Sequence, residues 1–471
     1  GGNMAKRTQV DDIDRGIYDT ISDVKFKKKL DAGLTKEITD KISAEKGEPT
    51  WMRDLRRQAV DIFYELENPV WGPDLSEVDL DNIVTYISPE AEMEDDWSKV
   101  PTEIKSMFDK LGIPEAEKEQ LLSGVGAQYD SEVVYHNVQK ELTDQGVIFL
   151  DFDTAVKEHE DIVRKYFQKA ISPRLHKYAA LHYAVWSGGT FVYVPKGVHV
   201  EVPLQTYYRL NAPGAGQFEH TMIIVDEGGS CRFIEGCSAP KYNVLNIHAG
   251  SVELFVEKNA KLNFTSIENW SRNMYNLNTK RAVVEENGRM EWVGGSFGSK
   301  VSMLYPGTIL NGEGAVTDNV TLTFAGSGQI IENGAQIIHN AKNTMSNIDS
   351  RSISKSGGVS VYRGLVKILP HASGSKSSGS CESLMLDDKS RADTIPVIVN
   401  ECRDAVVGHE ASIGRVDEEV VRYMMSRGIS EVEARAMIVR GFADPIAREL
   451  PLEYAVEMNN LINLELEGTV G

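Results

Sequence analysis

The sequence predicts a mainly β chain with helices at both ends. Three observations carry that prediction. Apolar residues recur every three or four positions in "WMRDLRRQAVDIFYEL", the period drops to two between about residues 190 and 400, and helical spacing with cap residues returns after about 413.

In the first region, 1–190, the residues Trp51, Met52, Leu55, Ala59, Ile62, Phe63 and Leu66 form one apolar face, as an amphipathic helix requires. The "KFKKK" run at 25–29 reads as a solvated helix surface. "SPEAEMEDDWSKVP", acidic and carrying two prolines, reads as a loop between helical pieces.

The second region, 191–412, alternates. Val252, Leu254 and Val256 share one side, the chain turns through "KNA", and Leu262, Phe264 and Ser266 resume the pattern. Turn signals stand at Gly228-Gly229, Lys258 to Ala260, Asn287-Gly288, Asn311-Gly312 and Asn333-Gly334, every 22 to 30 residues. Coils of a β-helix suit this spacing, but a sandwich or a propeller gives similar local patterns, so periodicity alone leaves the choice open.

The third region, 413–471, is helical. "DEEVVRYMMSRG" ends at Gly428, "SEVEARAMIVRG" opens on a Ser430/Glu433 capping box and ends at Gly441, and "PLEYAVEMNNLINLELEG" places Leu452, Ala455, Val456, Asn459 and Ile462 at helical spacing. Such a unit packs on the strand region or offers a docking surface to another protein.

Composition narrows the function classes. With 41% hydrophobic residues in 471 the chain can bury a large core. Its formal charge of −20, from 50 Lys plus Arg against 70 Asp plus Glu, disfavours nucleic acid and anionic membranes as partners. No apolar run approaches a membrane span and no secretory leader is seen, so a cytoplasmic location is expected. There is no GxxxxGK[ST] loop, no GxGxxG after a strand, no HExxH and no GxSxG, so ATP hydrolysis by a P-loop is excluded and the familiar enzyme motifs are missing. Four cysteines occur, Cys231, Cys237, Cys381 and Cys402, none in a CxxC, which argues against a closed site of four local thiolates. "VVGHEASIGR" sets an imidazole beside a carboxylate, His409 and Glu410, among small and apolar residues.

The phrases "GTFVYVPKGV", "FIEGCSAP", "YRGLVKILP", "CESLMLDDKSRADTIP", "GHEASIGRV" and "MSRGISEVEARAMIVRGF", in this order, resemble the SufBD family of iron–sulfur cluster assembly proteins over about nine tenths of the chain. Within it the likeness is to SufB, the scaffold subunit. SufD chains usually carry "SHGA" where this chain has "GHEA", and lack a Cys at the position of Cys381.

The resemblance implies a right-handed parallel β-helix core flanked by N- and C-terminal helical domains. It implies a SufC-like ATPase docked on the C-terminal helices, roughly 417–466, and a SufD-like paralogue or second SufB copy paired through the β-helix. A sulfur donor of the desulfurase/SufE or SufU type, apo iron–sulfur target proteins and a reduced flavin are further implied participants, with a transient 2Fe-2S or 4Fe-4S cluster as the product. Residue by residue, Cys381 and Glu410 match the cluster-assembly pair, with His409 as a further ligand. Cys237 matches the sulfur-accepting Cys, and Arg209, Asn211, Trp270 and Lys280 match a polar tunnel between the two sites. Glu268 stands where many relatives have Gln and Gly408 where many have Glu, and the Cys-rich motif of some SufB chains is replaced by "SPEAEMEDDW".

A scaffold must hold a cluster and then release it, and a mixed set of thiolate, carboxylate and imidazole suits exchange better than four buried thiolates. Cationic residues along the tunnel would favour thiolate or persulfide anions. Two rival readings remain at this level, a SufD-like subunit without ligands and a carbohydrate-active β-helix enzyme with paired carboxylates in a groove.

Overall fold

The computed structural model describes residues 26–110, 122, 124–212, 214–240, 244–449, 458–463 and 466. Its centre is a parallel β-solenoid of about eight turns. Eight long strands, His199–Arg209, Ser230–Ser238, Lys261–Trp270, Arg289–Gly298, Val316–Ala325, Met345–Ser354, Lys376–Met385 and Val406–Arg415, stack in parallel as one face. The opposite face begins as pairs of shorter strands, such as Asn246–His248 with Ser251–Val256, and ends as the single strands Val359–Ile368 and Arg391–Asn400.

Three of the turn signals acquire a physical reason in this stack. Gly228, Asn259 and Asn287 take the left-handed conformation, φ 70°, 58° and 53°, which Gly and Asn tolerate best; after Asn311-Gly312 it is Gly314 that takes it, φ 75°, and on the next coil Asn343, φ 56°. Their backbone amides form a ladder from coil to coil: Gly228 N donates to Lys258 O at 2.9 Å, Asn259 N to Glu286 O at 2.9 Å and Asn287 N to Glu313 O at 2.9 Å. Asn333-Gly334 marks a different corner, between the strands Ile330–Asn333 and Gln336–His339. There a Cβ on Gly334 would lie 1.9 Å from the Arg363 carbonyl of the next coil, so only glycine fits.

Alternation decides what fills the solenoid. Val252, Leu254, Val256, Leu262 and Phe264 join one interior cluster with Phe233, Met290 and Trp292. The Phe233 and Phe264 rings stack at 5.6 Å and Trp292 meets Phe264 edge-on at 5.6 Å, contacts worth about 0.5–1.5 kcal/mol each beyond area burial.

Helices α1 (Lys36–Lys46) and α2 (Thr50–Glu65) pack with α3 (Lys177–Val185) over the first coils. Met52, Ala59, Ile62 and Phe63 of α2 are buried as their spacing predicts. Its periodicity gives no hint of Arg56, which is also fully buried, paired with Glu48 at 2.7 Å and lying 4.6 Å over the Trp186 ring. Glu253 ties the helical segment to the solenoid by accepting from the backbone amides of Gln168, Ala170 and Ile171 at 3.1, 2.9 and 3.1 Å.

Two local expectations change. The lysine run is not helical: Phe26–Lys29 is an exposed strand, antiparallel to Ile87–Pro89. The helix expected to stop at Gly441 continues to Ala447 as α5 (Glu431–Ala447), after α4 (Glu418–Ser426). Gly441 costs an internal helix only about 1 kcal/mol, and Val439, Ala443 and Ile446 carry the apolar face past it into a core shared with Phe297 and Leu322. Ser430 does cap α5, accepting from Glu433 N at 3.2 Å. Leu452, Ala455 and Val456 of the expected last helix lie outside the described residues, while Leu461 and Ile462 are buried in the same core.

Among the described residues no element covers the last turn of the solenoid. Ile395, Val397, Ile398, Val399, Val406 and Ile413 are exposed there, along the terminal strands of the two faces.

Candidate functional site

Register places the long strands so that side chains of one row stand above one another inside the solenoid. One row runs Thr206, Glu235, Ser266, Gly294, Thr321, Ser350 and Cys381. The neighbouring row runs Cys237, Glu268, Ser296, Thr323, Ser352 and Ser383. Apart from Gly294 and Glu268, small hydroxyl-bearing residues line both rows toward Cys381, in an interior otherwise packed with Phe, Leu and Trp. Buried hydroxyls require partners. Ser266 donates to Glu235 at 3.0 Å, Thr321 to Ser350 at 3.1 Å and Ser352 to Ser383 at 2.9 Å. A cavity of about 50 Å³ lies midway, lined by Ser266, Glu268, Lys280, Gly294, Ser296 and Thr321 among others.

At one end Cys237 is buried against Trp270, Tyr208 and Met274. Its Sγ and carboxylate oxygens of Glu219 and Glu235 lie within 4.8 Å of one another. Lys280 Nζ stands 3.1 Å from Glu235 and donates to Ser266 at 2.9 Å. His248 Nε2 stands 2.6 Å from Glu219 Oε1, and the His248 ring lies 4.5 Å from that of Trp270. Glu268 accepts from Asn278 at 2.8 Å. Burial holds the Cys237 thiol well above its ordinary pKa, reinforced by Glu235, Glu268 and Glu219 and opposed by Lys280. Burial also lifts Glu235, against the pull of Lys280. For His248 burial works against the charged form, but Glu219 and Glu268 outweigh it and raise the pKa. The cationic Lys280 therefore serves the carboxylates before it serves sulfur.

Of the four residues expected along a tunnel, Trp270 packs in one cluster with Cys237 and Lys280 pairs with Glu235, whereas Arg209 and Asn211 stand at the end of the strand His199–Arg209. Arg209 donates to Ser238 at 2.9 Å, and Asn211 N donates to Asp130 at 2.7 Å. Burial pushes the Asp130 carboxyl up to about 6, opposed by the backbone amides of Asn211 and Ala212 and by Arg209.

At the other end Cys381 is buried with Sγ 3.9 Å from Thr394 Oγ1, and desolvation pushes its thiol up to about 11. His409 is the register partner of Gly379, two residues from Cys381, and stacks on Tyr362 at 5.5 Å. A Cβ on Gly379 would stand 2.4 Å from His409 Nδ1, so glycine leaves the space the imidazole uses. His409 Nε2 is buried without a hydrogen-bond partner, and desolvation lowers the pKa of the ring.

His409 and Cys381 thus share the interior side. Glu410, the next residue along the strand and the partner of Ser380, points to the opposite side and is exposed. Two of the three residues expected at the assembly end stand on the interior side of adjacent strands; the third faces outward.

The family model described as SUF system FeS cluster assembly, SufBD core domain, matches residues 208–442, and the SufBD protein N-terminal region matches 39–206. An iron–sulfur cluster assembly SufBD family protein of Staphylococcus epidermidis is 50% identical over 99% of this chain and 100% of its own length. One of Staphylococcus aureus is 49% identical over the same shares. The chain belongs to the SufBD family.

As a SufBD protein it is an iron–sulfur cluster assembly protein with a parallel β-solenoid core. Among its described residues no helix is long and apolar enough to cross a membrane. Sequence reasoning overlooked Glu235, Glu219 and His248 at the Cys237 end. Glu235 carried a local signal, because two residues before Cys237 on a strand means the same face. Glu219 and His248 carried none, since the fold brings them in from neighbouring coils.

Proposed function

We propose that this SufBD protein is a SufB-type scaffold, on which iron and persulfide sulfur are assembled into a cluster and passed to target proteins. The observation that carries the reading is the pair of hydroxyl-lined interior rows linking Cys237 to Cys381. Hydroxyls and Lys280 would solvate a migrating sulfur anion where the surrounding aromatic core would not. In this reading Cys237 accepts sulfur, Lys280 and Trp270 flank its path, and Arg209 and Asn211 hold the chain where the path begins. Cys381 and His409 offer soft and borderline donors to the nascent cluster. Iron and sulfur are cargo, and binding at Cys381 must displace a proton from a thiol whose burial favours the protonated form.

The exposed apolar edge of the last turn favours closure by a SufD-like paralogue or a second copy of this chain, with Glu410 contributing from the outer side. The exposed faces of α4 and α5 suit a SufC-like ATPase, since this chain has no P-loop of its own. A desulfurase-type sulfur donor would supply Cys237. A SufD-like role without ligands is disfavoured by Cys381 and His409 standing on one side of adjacent strands. Glu219, Glu235 and Glu268 are fully buried rather than set in an open groove, which disfavours glycoside hydrolysis.

Anaerobic reconstitution of the purified chain with ferrous iron and sulfide tests the assignment. A scaffold gains the visible sulfur-to-iron charge-transfer absorbance and loses it to an apo-acceptor protein. A chain that never acquires the absorbance, alone or with its SufC- and SufD-like partners, is no scaffold.

A further inference from the structure

Three buried carboxyl groups gather at the Cys237 end. Glu219, Glu235 and Glu268 are all buried within the solenoid, with Lys280 and His248 as the cations paired to them. Buried carboxylates are stable when every oxygen has a partner. Glu219 departs from this: its Oε1 takes His248, but its Oε2 is buried with no hydrogen-bond partner. Space is kept for this carboxylate, since a Cβ on Gly250 would come within 2.3 Å of Glu219 Oε1.

From the unpartnered oxygen and the convergence of donors we infer that Glu219, Glu235 and Cys237 form a binding site for a divalent first-row transition-metal ion. Their ligand atoms lie within 4.8 Å of one another. Two ligands on one such ion, with bonds of about 2.0–2.3 Å, stand roughly 3 to 4.5 Å apart, so small side-chain rotations close the site. One thiolate with two carboxylates selects a borderline ion such as ferrous iron, cobalt or zinc over magnesium or calcium. His248, held against Glu219, would orient that carboxylate from behind. A cavity of about 230 Å³ beside Trp71 and His176 reaches Lys280, the partner of Glu235, and Lys280 also lines the smaller interior cavity next to Glu268. The binding step releases the Cys237 thiol proton to solvent and involves no change of oxidation state. This inference does not rest on the scaffold reading, because it concerns the opposite end of the interior rows from Cys381.

Anaerobic titration with cobalt(II), in the full chain carrying Cys381→Ala so that the other thiol end is silent, is the test. A thiolate-to-cobalt charge-transfer band should grow and saturate at a single ion per chain. Adding Cys237→Ser should abolish the band, and adding Glu219→Gln, which is isosteric, should weaken binding by about 10-fold or more. Circular dichroism of each apo variant checks the fold; if Cys237→Ser does not fold, Glu219→Gln and Gly250→Ala, which displaces the same carboxylate, carry the decision. No band in the Cys381→Ala chain, a band that survives Cys237→Ser, or affinity unchanged in Glu219→Gln would overturn the assignment.

Discussion

Glu235 and Cys381 belong to one interior row of the solenoid, joined by the successive register partners Ser266, Gly294, Thr321 and Ser350. Gly294, the one member of the row with no side chain, borders the 50 Å³ cavity.

Gly294→Val should therefore close the path without unfolding the chain. A Cβ there meets only Thr321 Cγ2, at 3.9 Å, and a β-branched residue suits a strand. The expected result is persulfide retained at Cys237 and cluster yield under desulfurase feeding cut by an order of magnitude, read by mass spectrometry and absorbance. Undiminished yield would mean sulfur travels another way.

Cys381 should alkylate slowly at neutral pH and faster as the pH approaches about 11, because desolvation favours its neutral form and only the thiolate reacts. Linkage has the same sign: an acid whose folded pKa is raised adds stability below its unfolded value, near 9, and that increment is lost as pH rises toward 11. Iodoacetamide kinetics in a Cys402→Ser background measure this. A full rate already at pH 8 would show that Cys381 is not desolvated as described.

How much of this was legible beforehand depends on the range of the signal. Strand alternation around Val252 to Ser266 and the Asn and Gly turns are local, set by sterics within a few residues, and the coils follow them closely. The Ser430 cap is local too, but the end of α5 is not: Val439, Ala443 and Ile446 find a core on the solenoid that overrides Gly441. Strand phase separates Glu410 from His409 and could have been read from the sequence, because adjacent residues of a strand face opposite ways. The Glu219–His248 contact could not, since it joins different coils across 29 positions.

Glu410→Ala should leave iron binding at Cys381 of the isolated chain unchanged and reduce cluster yield in the paired assembly. Its carboxylate lies on the outer side of the terminal strand, where a partner subunit would reach it. Parallel iron titrations of the isolated and paired forms distinguish the cases; equal loss in both would place Glu410 on the Cys381 side in solution.

Docking of the ATPase is best probed by substitution. Truncating the chain at 417 would strip Val439, Ala443 and Ile446 from the core, whereas Tyr423 and Val432 are 59% and 67% exposed. Tyr423→Ala with Val432→Asp should weaken co-purification with a SufC-like ATPase by roughly 2 kcal/mol or more, as hot-spot truncations do, with an unchanged melting temperature. Retained binding would move the docking surface elsewhere.

The division of labour between the two cysteines is tested most directly by crossing variant with sulfur source in one anaerobic assembly assay. Cys237→Ala should fail when a desulfurase feeds the complex and succeed with free sulfide, while Cys381→Ala should fail with both. A normal cluster yield from Cys381→Ala under either source would contradict the account.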